Sequence, residues 1–175
     1  TNKDNANSVL IVDGTMTYGQ LAPVKLGYTA SSKIIRGVLV NSLPRATCYF
    51  YSYNSSSSNT VDTYGYLYVS NGGGALSTND DGNANDSYRQ PLVSYSNNSY
   101  SSLIFGVGLY SSGTMANQQI YAYARGYEAR VGSTYYSTLE AAIKNASSGS
   151  TVEILVTSLD TVSNSISKSL TVTSP

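Results

Sequence analysis

The chain has no histidine, no tryptophan, a single cysteine and four prolines, and only 11% of its 175 residues are charged. Each shortage removes a class of function. Without histidine there is no imidazole to serve as a general base near neutral pH or as a metal ligand. Cys48 alone can form neither an intrachain disulfide nor a cysteine-rich metal site, and between Thr47 and Tyr49 in a strand it reads as a small buried hydrophobe. Ten Lys and Arg balance ten Asp and Glu, so no basic patch exists to neutralise a run of phosphates. Nucleic acid and anionic membrane surfaces are therefore excluded as expected partners. No apolar run approaches the ~20 residues of a membrane-crossing helix, and no segment has the build of a signal peptide, so membrane insertion is not expected. A first residue of Thr rather than Met fits a mature or excised segment. The carboxylates Asp13, Asp62, Glu128, Glu140, Glu153 and Asp160 are scattered, with no spacing that pairs them. Enzymatic chemistry is not expected, and a glycan-active enzyme fragment ranks third among the functional readings.

What the chain does have is tyrosine, 17 residues of it. Three stretches place it at every second position: Tyr49-Phe50-Tyr51-Ser52-Tyr53, Tyr64-Gly65-Tyr66-Leu67-Tyr68, and Tyr121-Ala122-Tyr123-Ala124-Arg125-Gly126-Tyr127. Strand side chains alternate between faces, so each stretch puts its rings on one face and small or apolar residues on the other. The plain reading is a half-solvated outer sheet face, where cross-strand aromatic pairs contribute ~0.2–1 kcal/mol each. The functional reading makes Tyr49, Tyr51, Tyr53, Tyr64, Tyr66, Tyr68, Tyr121 and Tyr123 an aromatic platform for carbohydrate, with rings stacking on sugar C–H faces and phenols bonding hydroxyls. Solvent exposure of these rings discriminates between the two.

Residues 1–7 read as a flexible polar lead-in. Strands are expected at Val9–Val12, closed by an Asp13-Gly14 turn, and at Val24–Tyr28, Ile34–Val40, Ala46–Tyr53, Val61–Ser70, Leu92–Tyr95, Ser102–Tyr110 and Gln119–Arg130. Gly-, Asn- and Ser-rich turns separate them, and no helical period intervenes. The chain is mostly β: an antiparallel, jelly-roll-like β-sandwich over 8–130, with Leu67, Val69, Ile120, Ala122 and Ala124 as core candidates. Arg36 and Arg125, inside apolar strands, require a carboxylate or carbonyl partner. Lys25 and Lys33 guard edge strands. Over 131–175 the pattern changes. Leu139, Ala142, Ile143 and Ala146 mark one face of a short helix, with Ser137 and Glu140 as a capping box and Gly149 as the stop. Two strands follow, Thr151–Thr157 and Ser165–Thr173. This segment either docks on the sandwich or opens a solenoid.

Asp81, Asn83 and Asn85 reproduce the first three alternating oxygen donors of a calcium loop. The match then stops, because Asp86 stands where the tight turn wants glycine and Leu92 where a bidentate glutamate is needed. Calcium is the one cofactor the chain suggests, and a solvated hairpin loop is the plainer reading.

Tyr136, Thr138, Leu139, Ala142, Ile143, Gly149, Thr151, Val152, Ile154, Ile166, Lys168, Leu170, Thr171 and Val172 together resemble the N-terminal cap of right-handed parallel β-helices in large secreted bacterial proteins. There a helix plugs the open end of the solenoid. Ile35-Arg36-Gly37-Val38, Tyr64-Gly65-Tyr66-Leu67, and Ala124-Arg125-Gly126-Tyr127 running into Tyr135-Tyr136-Ser137 resemble a module of multidomain surface proteins of Firmicutes. The resemblance implies an extracellular or cell-wall-associated module with neighbouring domains in the same parent chain, and no reaction. Two functions are carried forward: a non-catalytic module binding a glycan or a cell-surface protein, and a purely structural spacer or adhesin segment.

Overall fold

The computed structural model describes residues 8–54, 61–69, 73–81, 90–110, 113–115, 120–136, 138–156, 159 and 166–174, with residues 54 and 120–123 described by backbone alone. The lead-in 1–7 lies outside the described residues. The chain order is β1 (Val9–Thr17), β2 (Val24–Lys25), β3 (Ile34–Asn41), β4 (Cys48–Asn54), β5 (Thr63–Tyr68), β6 (Ala75–Asn79), β7 (Leu92–Tyr95), β8 (Ser102–Leu109), β9 (Ile120–Ala124), β10 (Ala129–Val131), β11 (Thr134–Tyr136), α1 (Leu139–Asn145), β12 (Thr151–Ile154) and β13 (Thr171–Thr173). With 49% of the described residues in strands and 5% in helix, the chain is mostly β. It divides into two compact units, the first ending at Arg125 and the second beginning at Gly126.

The first unit is a sandwich of a five-stranded sheet, β1-β3-β8-β5-β6, on a four-stranded sheet, β2-β9-β4-β7. Alternation builds its core. Val38 and Val40 from β3, Leu67 from β5 and Leu103, Phe105, Val107 and Leu109 from β8 meet Cys48 and Phe50 from β4, Val93 from β7 and Ala124 from β9 in one cluster. Phe50 and Phe105 close the gap between the sheets at 5.9 Å. Gln90, fully buried, ties the layers by hydrogen bonds: its Oε1 accepts from Ser52 Oγ on β4 and Thr63 Oγ1 on β5, and its Nε2 donates to the Val61 carbonyl. Polar groups this deep are tolerated because they bond one another.

Three expectations change. Val69 is 46% exposed rather than core, because β5 ends at Tyr68 and alternation no longer holds it inward. A strand at Ala75–Asn79 was absent from the sequence reading; its five positions are all half-buried, so it lacks the alternating pattern that marks a strand. Asp13-Gly14 does not close the first strand. β1 continues to Thr17 and runs parallel to β3, the exception in an otherwise antiparallel sandwich.

The register slips between Val12 and Gly14, which leaves Asp13 as a bulge. Its carboxylate accepts from Arg36 Nε at 2.9 Å and from the Gly27 amide at 2.8 Å, and pairs with Arg36 Nη2. Arg36 thus finds the carboxylate its apolar strand demands. Gly27 is required beneath it, since a Cβ there would collide with the guanidinium. The bulge turns Met16 back into the core beside Val40.

In the second unit the sheet order is β11-β10-β12-β13, with β12 and β13 parallel. Leu139, Ala142 and Ile143 of α1 pack on Ala129, Tyr136 and Val152 to form a separate cluster. The residue capping the helix is Thr138, one later than the sequence pattern suggests: its side chain accepts from the Ala141 amide, which moves Glu140 out of the capping-box position. Ser137 lies outside the described residues. The reciprocal acid comes instead from Glu128, whose Oε2 accepts from the Leu139 amide at 2.9 Å. At the other end Lys168 Nζ donates to the carbonyls of Lys144 and Ala146, where a cation complements the helix dipole.

Removing the carboxylate in Asp13→Ala leaves a mostly buried guanidinium uncompensated, and a loss of about 3–5 kcal/mol in urea unfolding is expected. Gly27→Ala should move stability in the same direction by evicting the guanidinium, and wild-type midpoints in both variants would refute the lock.

Candidate functional site

Two of the three tyrosine stretches become neighbours. β4 and β9 pair with Tyr51 opposite Tyr123 and Tyr53 opposite Tyr121, the side chains of Tyr121 and Tyr123 lying outside the described residues. Phe50 and Cys48 face the core, so Tyr49, Tyr51 and Tyr53 take the opposite face. Tyr51 is 1% exposed, with Arg125 Nε donating to its hydroxyl at 3.3 Å. Tyr49 and Tyr53 are half-buried.

The third stretch lies in the other sheet. Thr63, Gly65 and Leu67 turn inward, and Tyr64, Tyr66 and Tyr68 take the face away from the four-stranded sheet. There the rings run in file: Tyr110 stacks on Tyr64 at 6.0 Å, Tyr64 meets Tyr66 at 5.0 Å, and Tyr66 stacks on Tyr68 at 5.9 Å. Ile35 and Ile104 complete a second apolar cluster, which leaves Tyr66 at 1% and Tyr68 at 6% exposure. Glycines make the room. A Cβ at Gly106 would stand 2.7 Å from Ile35 Cγ2 and 3.3 Å from Tyr68 Cε2, and one at Gly108 would stand 3.4 Å from Tyr66 Cε2. Of the seven ladder tyrosines with described side chains, none is exposed. Among the described residues the exposed tyrosines are Tyr28 and Tyr135, neither of which belongs to the candidate platform. Both sit in short segments with no period-two run to flag them.

Lys25 is exposed on β2, the edge of its sheet. Cys48 is fully buried within the core cluster, and burial pushes its thiol pKa up. Its neighbour Tyr18 packs edge-on against Phe50 at 6.2 Å. Burial raises the Tyr18 phenol from 10.0 to about 12, although the Tyr49 amide donating to its oxygen pulls the other way. The folded state therefore holds this proton after the unfolded chain has lost it. Its contribution is complete below pH 10.0 and is lost as pH rises toward about 12. Tyr18→Phe should flatten the fall of Tm across that interval; an unchanged slope would contradict the assignment.

For a cation, the structure regroups the acidic residues. Asp81 stands with Asp62 and Asp80, one carboxylate oxygen from each lying within 4.8 Å of the others. Asn83 and Asn85 lie outside the described residues. Asp62 was read as one of the scattered acids. It precedes β5, whereas Asp80 and Asp81 follow β6, and the pairing of those two strands carries them together. Sequence spacing cannot show this. Three convergent oxygen donors suit a hard cation such as calcium. If the triad holds one, calorimetric titration of calcium into chelator-treated protein should give saturable heat that Asp81→Asn removes; silence in both proteins returns the triad to plain surface acidity.

Compared with protein-family models, curated proteins and solved structures, the chain matches none of them.

Proposed function

We propose that this chain is a non-catalytic extracellular module of a bacterial surface protein whose task is structural, a spacer or adhesin segment between neighbouring domains. One observation carries the reading: three of the ladder tyrosines are spent inside the protein. Tyr51, Tyr66 and Tyr68 are buried and laid against their neighbours, where a glycan platform needs rings open to solvent. The composition supports the same reading, since solubility rests on Ser, Thr, Asn and Tyr rather than on charge, and no histidine is present for acid–base work. The parallel pairing of β12 with β13, Thr151 opposite Thr171 and Val152 opposite Val172, supports a stacked continuation from β13 into a following domain. β13 forms the edge of its sheet and its three residues are exposed.

A structural ring and a platform ring differ in what their loss does. Tyr66→Ala should cost about 3–5 kcal/mol of unfolding free energy, the range for removing a buried aromatic ring. A surface platform ring would change stability by no more than about 0.5 kcal/mol, so a wild-type midpoint for Tyr66→Ala would remove the support for this reading. Turnover of any glycoside that is abolished by Asp80→Asn would replace it with an enzymatic one.

A further inference from the structure

We propose that the outer face of the second unit's sheet binds a neutral oligosaccharide, with Tyr135 as its centre. This goes beyond the structural reading and draws on one half-buried ladder ring, Tyr127, and on none of the buried ones.

The register brings the site together. Tyr135 on β11 stands opposite Arg130 on β10, Arg130 opposite Glu153 on β12, and Glu153 opposite Thr173 on β13. Residues directly opposite share a face. Ala129 and Val152 pack on the helix side, so the row Tyr135-Arg130-Glu153-Thr173 takes the other side. Four strands at ~4.8 Å spacing make it roughly 14 Å across. Two residues along β12 and β13, Thr151 and Thr171 add hydroxyls to the same exposed face.

Each member supplies what a sugar needs. Tyr135 is 44% exposed, and Tyr127 stands 5.3 Å away at 43°, so two rings offer an angled apolar surface to C–H faces. Arg130 holds the arrangement from the middle. Its Nε donates to Glu153 Oε2 at 2.7 Å, its Nη1 reaches the Tyr135 hydroxyl at 3.4 Å, and its guanidinium carbon lies 6.0 Å from that ring's centre. Among the described residues this leaves Arg130 Nη2 as a donor and the second Glu153 oxygen as an acceptor, beside three threonine hydroxyls. Side chains exposed by 38% and 43% keep both charged groups within a ligand's reach.

Charge then selects among ligands. Arg130 and Glu153 cancel, so the row attracts neither a phosphate nor a cation. Glu153 repels an anion approaching the free Nη2, and Arg130 repels a cation approaching the free carboxylate oxygen. A ligand that is uncharged, offers donors and acceptors at short intervals and carries flat apolar faces fits these terms. Oligosaccharides have that chemistry. Tyr28, the other exposed ring among the described residues, sits in the irregular segment between β2 and β3 and heads no such row.

The test titrates the full chain with hexasaccharides of glucose, mannose, xylose and N-acetylglucosamine, and with hexagalacturonate as the anionic counterpart, by calorimetry and by amide chemical-shift mapping. At least one neutral sugar should bind. Tyr135→Ala should weaken it about tenfold, the effect of losing one good contact, whereas Tyr135→Phe should bind nearly as wild type and Tyr28→Ala should bind unchanged. Glu153→Gln frees the guanidinium charge and should shift preference toward hexagalacturonate. If Tyr135→Ala fails to fold, Thr173→Lys at the exposed end of the row carries the same expectation of loss. The proposal is overturned if no neutral hexasaccharide perturbs the protein at up to about 5 mM. It is equally overturned if Tyr135→Ala or Thr173→Lys binds as wild type, or if the wild type prefers the anionic sugar.

Discussion

A strand deals its side chains to two faces in turn, and nothing in this molecule constrains more. Once Phe50, Leu67, Phe105 and Val107 are committed to the space between the sheets, Tyr51, Tyr66 and Tyr68 must face the other way. Most proteins would clothe those outer faces in Lys and Glu. This chain, with few charges to spend, uses tyrosine instead. The rings do not stand out into solvent like a fence. They lie down and cover one another, which recovers apolar burial at the cost of side-chain freedom already small for an aromatic. That posture needs a bare backbone beneath, and Gly106 and Gly108 on β8 provide it, as aromatic side chains elsewhere shield glycine within sheets.

Ionic and amide nodes complement the apolar layers by fixing which strand lies where. Asp13 joins a bulge on β1 to Arg36 on β3 and to the backbone at Gly27, so a single carboxylate sets three segments. Gln90 links β4 to β5 across the sandwich. Asn98 closes the turn after β7, its amide donating to the carbonyls of Pro44 and Tyr100. Buried polar groups contribute modestly to net stability, because desolvation offsets most of their attraction. Their larger consequence here is geometric. The parallel β1–β3 pair has no turn to set its register, and the Asp13–Arg36 bond supplies the missing reference point.

The layered β class, the helix face at Leu139, Ala142 and Ile143 and most strands of the first unit were legible, because periodicity two and periodicity 3.6 are local signals. What the chain hid was non-local. The convergence of Asp62 with Asp80 and Asp81 depends on the pairing of β5 with β6, and β6 carries no alternation to announce itself. The sequence pattern changes after Arg130, whereas the units divide after Arg125: the third tyrosine stretch runs through that point without a change of composition, yet β9 pairs in one sheet and β10 in another. At the helix start, Ser137 and Thr138 satisfy the same capping rule. Which of them caps was decided by Glu128, a tertiary partner that occupies the first amide.

The same blindness explains why tyrosine count alone could not locate a surface site. Whether a ring is architecture or recognition depends on the residue across the strand. Tyr64 and Tyr66 stand opposite Gly108 and Gly106, where nothing props the rings upright, so they lie on the sheet, Tyr66 buried and Tyr64 half-buried. Tyr135 stands opposite Arg130, whose guanidinium, anchored by Glu153, lies 6.0 Å from the centre of a ring that stays exposed. Two identical side chains on similar strands thus meet opposite fates, and the difference lies in the partner across the strand. A tyrosine-rich β protein should therefore be searched for binding surfaces not at its densest ladders but at the rings whose partners are too large and too polar to be covered.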